Sequence, residues 1–142
     1  MSQVIQQALE AHLAAMTPAL DPSSPTKGIA YENVPFTPTL NMPYQKANIL
    51  PAEPDNSTQG SSHYREIGIF QVSLYYPAGT ASGNAQARAD LTRTHFKRGT
   101  TLVKNGVKTI IIATPKIHPA LVDGDRYVVP VSIRYQADIF VV

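Results

Sequence analysis

The sequence predicts an α+β fold: a single domain over residues 1–142, with a mainly antiparallel mixed sheet and two helices packed on one face, in the order α-β-β-β-α-β-β-β. Three observations predict it. Val4, Ile5, Ala8, Leu9, His12, Leu13 and Met16 recur at helical spacing. Over residues 64–76, Phe70, Val72, Leu74 and Tyr76 alternate with Gln71, Ser73 and Tyr75, the period of a strand buried on one side. Asn105-Gly106 stands between apolar runs, the signature of a two-residue type I′ hairpin.

Each element has its own local reason. The first helix covers residues 3–16, with Ser2 as N-cap and Thr17-Pro18 as its stop. Residues 29–34 form a short strand, after which Pro35, Pro38 and Pro43 allow only extended, edge-like chain. A second strand runs over residues 44–50 and is closed by Pro51. Residues 51–63 are a long polar loop, mobile until a partner orders it. After the 64–76 strand and the Pro77-Ala78-Gly79 turn, a second helix runs from about residue 84 to 96. Its face of Ala85, Ala89, Thr92 and Phe96, flanked by Leu91, lets it lie close to the sheet, and Gly99 ends it. The hairpin joins strands near residues 100–104 and 107–113. Asp123-Gly124-Asp125 turns into a last strand whose Tyr127, Val129, Val131, Ile133 and Tyr135 share one face, while Pro130 marks an edge that is free or bulged. Residues 136–142 are a C-terminal extension, in which Ile139 to Val142 continue that last strand.

Composition narrows the function classes. A chain of 142 residues is long enough for one core. With 43% apolar and only 15% charged residues it leaves much neutral surface, which favours burial against a partner. The absence of cysteine excludes disulfides, thiolate metal sites and Cys nucleophiles. No basic n-region precedes a continuous apolar run, and no stretch approaches the roughly 18 apolar residues of a membrane span. The expectation is a soluble protein, made where it folds.

Charge is uneven. Residues 88–116 hold seven basic side chains (Arg88, Arg93, Lys97, Arg98, Lys104, Lys108, Lys116) against Asp90 alone. Such a segment suits nucleic acid or an acidic protein surface, or is a solvated face.

No residue set carries chemistry. His12, His63, His95 and His118 lack metal-ligand spacing. Ser61-Ser62-His63 places nucleophile and base side by side, where the required geometry cannot form. Asp123 and Asp125 fall short of the six or more oxygens that calcium takes. No Gly-rich phosphate loop is present, and Asn56-Ser57-Thr58 matches a glycosylation sequon with nothing to suggest secretion. We therefore expect no catalytic, metal or cofactor residue, and no enzyme.

The chain resembles the tail terminator (tail completion) proteins of long-tailed bacteriophages. The resemblance rests on the opening helix at residues 5–16, Glu32-Asn33-Val34-Pro35-Phe36-Thr37-Pro38, the strand and turn at 69–79, His95-Phe96-Lys97-Arg98-Gly99-Thr100, and Tyr127-Val128-Val129-Pro130-Val131-Ser132-Ile133. It implies a structural virion subunit forming a hexameric ring on the head-proximal end of the tail tube. The ring would stop tube polymerisation and offer a surface for head joining. The implied partners are other copies of the chain, the tail tube protein, a head-tail connector or neck protein, and genomic DNA passing through the lumen. Free strand edges and neutral surface suit the heterologous contacts a ring needs. Two other readings share the sequence: another neck or baseplate subunit, or a non-specific nucleic-acid-binding module built on residues 88–116. The contact residues expected are Arg65, Tyr75, Lys97 and Arg98, with Pro51, Asp55, Gln59 and His63 from the polar loop.

Overall fold

A computed structural model describes residues 2–56, 62–79 and 82–140. Helix α1 (Ser2–Ala14) is followed by strands β1 (Ile29–Ala30), β2 (Tyr44–Pro51) and β3 (His63–Pro77). Helix α2 (Ser82–His95) then leads into β4 (Thr101–Lys104), β5 (Val107–Ile111), β6 (Lys116–Ile117), β7 (Leu121–Asp123) and β8 (Arg126–Phe140). The expected α+β architecture with two helices is what forms.

The sheet runs β1-β2-β3-β8-β5-β4, with β6 and β7 also pairing β8. Only β1–β2 is parallel. Two 15-residue strands form its spine: β3 and β8 pair without interruption from His63↔Phe140 to Pro77↔Arg126. The other edge of β8 is shared by β5, β6 and β7 in turn. Pro130, which has no N–H to give, falls where that edge passes from β7 to β6 and the register slips by one residue. There the His118 N–H donates to the Pro130 carbonyl at 2.9 Å. The edge expected from this proline is a bulge.

Helix α1 packs over β4 and β5, and α2 over β3 and β8. Between helices and sheet lies one core: Ile5, Leu9, Leu13, Phe70, Val72, Leu74, Ala85, Ala89, Phe96, Val129, Val131, Ile133 and Tyr135 are all buried. The expected faces of α2 and β8 are the buried ones, because alanines at 85 and 89 bring helix backbone close to the sheet. At the hairpin, Asn105 and Gly106 both have positive φ (51° and 78°), as a type I′ turn requires.

Four expectations need correction. Of the strand expected at 29–34, only Ile29–Ala30 pairs, because Asn33 turns left-handed (φ 57°) and carries the chain away from the sheet. Pro51 ends β2 and His63 begins β3, so neither is loop. Pairing continues beyond Pro51: the Ala52 N–H donates to the Ile67 carbonyl at 2.9 Å, and Asp55 and Arg65 exchange both backbone hydrogen bonds. The middle of that segment, with Gln59, lies outside the described residues. Residues 136–140, set apart as an extension, complete β8 and pair with His63–Ile67, because Ala137 and Ile139 continue its buried face. The expected extension of the strand by Ile139 onward holds to Phe140, and residues 141–142 lie outside the described residues. The strands β6 and β7, two and three residues long, had no periodicity to reveal them.

The two helices are clasped at their C-terminal ends by histidines. The His12 and His95 rings stack at 3.9 Å, 14° from parallel. Each Nε2–H donates to the other residue's carbonyl, at 2.8 Å from His12 and 2.6 Å from His95. Phe96 meets both rings edge-on. Burial holds the His95 imidazole below its ordinary value, opposed by its hydrogen bond to the His12 carbonyl and helped a little by the charges of His12 and Arg88. A base depressed in the folded state takes up fewer protons than in the unfolded chain. This contribution to stability is whole above about pH 6.5 and declines as pH falls from there towards the folded value. The urea midpoint of the native protein should therefore fall between pH 7.5 and pH 5.5 by more than that of His95→Gln; an equal fall would exclude this role.

Candidate assembly surface

With both helices on one side, the other side of the sheet is bare of helix. The proline-rich loop meets its β2 end, where Phe36 lies 5.2 Å from the Tyr44 ring, and Val128 is buried there. Strand alternation and cross-strand register assign its side chains. Tyr44, Lys46, Asn48 and Leu50 of β2 oppose Tyr75, Ser73, Gln71 and Ile69 of β3. These in turn oppose Val128, Pro130, Ser132 and Arg134 of β8. Ile67, Ile69, Gln71, Ser73 and Tyr75 are half-buried, in contrast to the fully buried Phe70, Val72 and Leu74 between them.

The expected contact residues fall in three places. Arg65 and His63 share Asp138 across the β3–β8 ladder, with Arg65 Nε donating to Oδ1 at 3.0 Å and His63 Nε2 at 3.1 Å from the same oxygen. The hydrogen bond from Arg65 leads in holding the Asp138 carboxyl below its ordinary range. Pro51 and Asp55 lie near this end of the sheet. Tyr75 is at the far end of β3, stacked on Tyr44 at 4.7 Å with rings parallel to 2°, and the Arg126 guanidinium lies 5.1 Å over Tyr44. Arg126 also donates from Nη1 to the Met42 carbonyl, fastening the proline-rich loop to this corner. Lys97 and Arg98 are exposed beyond the end of α2.

The basic segment 88–116 does not make one surface. Arg88 is buried and donates to the Pro18 carbonyl, and Arg93 donates to the Pro115 carbonyl at 3.0 Å. Lys97 and Arg98 follow the helix, whereas Lys108 and Lys116 take outward positions on the bare face. Helix and hairpin separate what the sequence places side by side. The positive surface instead joins Lys116 of that segment to distant strands through Lys46, Arg126 and Arg134, which the sequence reading did not single out. Their signal was present in the alternation, each standing at a strand position out of phase with the buried side chains.

Exposed apolar side chains collect at the two ends of β8. Leu121 and the 70%-exposed Val122 occupy β7, whose outer edge has no strand partner among the described residues, and the 84%-exposed Leu40 lies beside Arg126. At the other end, Val103 of β4 and the 71%-exposed Phe140 are bare. Fifteen residues of strand separate the two groups by roughly 45 Å.

The family model of phage tail terminator proteins matches residues 4–135. The chain belongs to the phage tail terminator family. It is therefore a structural protein of the phage tail, and its place is the virion. The terminator fold recurs in solved structures. One protein with no stated function shares 24% identity over 100% of this chain and 99% of its own, with a TM-score of 0.76. A chain of the virion of a native gene transfer agent particle shares 16% identity, covers 97% of each chain and has a TM-score of 0.66. No curated protein matches the chain at a significant level.

Proposed function

We propose that this terminator closes into a hexameric ring on the head-proximal end of the tail tube. There it stops tube polymerisation, presents the surface for the head-tail connector or neck protein, and leaves a lumen for the genome. The observation that carries the reading beyond family membership is the placement of its bare apolar groups. Leu40, Leu121 and Val122 at one end of β8 differ in shape and position from Val103 and Phe140 at the other. Patches of two kinds, far apart on one subunit, suit a heterologous contact repeated from copy to copy, which closes into a ring when the rotation allows. The outer edge of β7, which pairs with no strand among the described residues, adds backbone donors and acceptors to one of them. On this reading Tyr75, Arg65, His63, Pro51, Asp55, Gln59, Lys97 and Arg98 are candidates for contacts to neighbouring copies, tube or connector.

Deletion of the gene tests it. Without the ring, tubes should lose their uniform length in electron micrographs and fail to join heads. Tails of normal, uniform length in the deletion would refute the proposal.

A further inference from the structure

Half of the chain's twelve Lys and Arg residues take outward positions on the bare face: Lys46, Arg65, Lys108, Lys116, Arg126 and Arg134. Among the described residues, the carboxylates at that face are Asp123 and Asp138, one at each end of β8, Asp55 opposite Arg65, and Glu32, whose Oε1 accepts from Asn48 Nδ2 at 3.4 Å at the β2 edge. Asp138 is taken up by Arg65 and His63. The part of the face around β6 and the middle of β8 is therefore positive with no carboxylate lining it, although the whole chain carries only +2.

At that middle lies a pocket of about 270 Å³ lined by Ile69, Ala113, Thr114, Lys116, His118, Ser132 and Arg134. Lysine, arginine and imidazole converge there with two hydroxyls, and no carboxylate is in the lining. His118 Nε2 and Ser132 Oγ lie 2.6 Å apart, which fixes the ring against β8. Donors of this kind, with no acceptor charge opposing them, fit an anion bearing several oxygens.

We propose that the bare face of the sheet is the DNA-facing surface of the ring, and that the Lys116–His118–Arg134 pocket seats a backbone phosphate of duplex DNA. The choice of DNA over a free anion comes from what surrounds the pocket. Lys46 stands three strand spacings away on β2, roughly 14 Å across the sheet, comparable with the roughly 12 Å major groove of B-DNA. One pocket would suffice for an isolated phosphate; a charge continued across the sheet suits a polyanion. The intervening Gln71 and Ser73 are neutral, Asn48 is tied to Glu32 at the β2 edge, and Tyr44 and Tyr75 stack on each other rather than standing free for bases. Contacts limited to phosphates hold DNA centrally without reading its sequence, so the duplex can slide.

The DNA source, unlike the anion chemistry, rests on the ring reading, and the test separates the two. Binding of a short duplex to the full chain is followed by fluorescence anisotropy over rising NaCl. Lys116→Ala/Arg134→Ala should weaken binding about tenfold at about 50 mM salt and reduce the log–log salt slope by about 2. Lys97→Ala/Arg98→Ala, on the helix side, should stay within about twofold of the native protein. The proposal is overturned by equal losses in both pairs, by loss in the helix-side pair alone, or by no binding of the native protein at about 50 mM salt. Displacement of DNA by inorganic phosphate or polyglutamate at equal charge would also overturn it, in favour of a free anion or an acidic protein. Rings that still form on tubes with the Lys116/Arg134 variant leave the ring reading standing. Absent rings with the expected salt dependence count against the ring alone.

Discussion

Gly68→Ala is expected to destabilise the protein by about 1–3 kcal/mol, whereas Gly83→Ala is expected to stabilise it by about 0.5 kcal/mol. Propensity alone predicts a gain at both, since glycine is a poor strand and helix residue. Surroundings reverse the sign at one of them. Gly68 lies between Pro51 of β2 and Tyr135 of β8, on the buried side of β3. A β-carbon there would come within 2.6 Å of the Tyr135 hydroxyl and 2.7 Å of the Leu50 carbonyl oxygen. The carbonyl belongs to backbone paired with β3, so it cannot swing aside; either β2 shifts or the Tyr135 ring leaves its place. Tyr135 is buried deeply enough that its phenol is pushed up to about 12, and moving it opens the core. At Gly83, in the first turn of α2, a β-carbon meets nothing within 4 Å. Urea midpoints for the two variants check the pair, and a gain in stability for Gly68→Ala would contradict this packing.

Phe96→Ala is expected to cost about 3–5 kcal/mol, a large part of the roughly 5–15 kcal/mol by which a domain is stable. Phe96 is fully buried where α2 ends. Its ring tilts against Phe70 of β3 at 5.9 Å and meets His12 and His95 edge-on at 4.8 and 5.4 Å. One side chain thus fastens both helices to the central strand. Truncation leaves a cavity under the histidine clasp, and neighbours fixed by the β3–β8 ladder collapse little into it. Leu91→Ala, on the 37%-exposed outer flank of α2, should cost far less. A loss below about 1 kcal/mol for Phe96→Ala, by chemical denaturation, would mean that α2 does not dock through this residue.

What the sequence made legible was local. Alternation at 70–76 and 127–135 identified the two spine strands and their buried faces, because the side-chain period of a strand is a property of its own residues. Asn105-Gly106 identified its turn for the same reason, and Ala85, Ala89 and Phe96 the docking face of α2. Pro51 read as the close of its strand, but a proline at a strand end gives up no ladder bond, and pairing runs past it to Asp55. The 88–116 segment read as a basic patch because its charges are neighbours in sequence. An α-helix and a hairpin then sent Arg88 inward and Lys116 to the opposite face. The positive surface joins Lys46 to Lys116 and Arg134 through pairings that no local pattern encodes. Likewise His12 and His95, 83 residues apart, meet only because both helices lie on one side of the sheet.

The central claim is that this terminator acts by fitting copies of itself to the end of a cylinder. Electron microscopy of purified tail tubes mixed with the protein tests that most directly. The account predicts closed rings at one end of each tube and no further growth there when tube subunits are added. Tubes that keep growing from both ends, with the protein left free in solution, would contradict it.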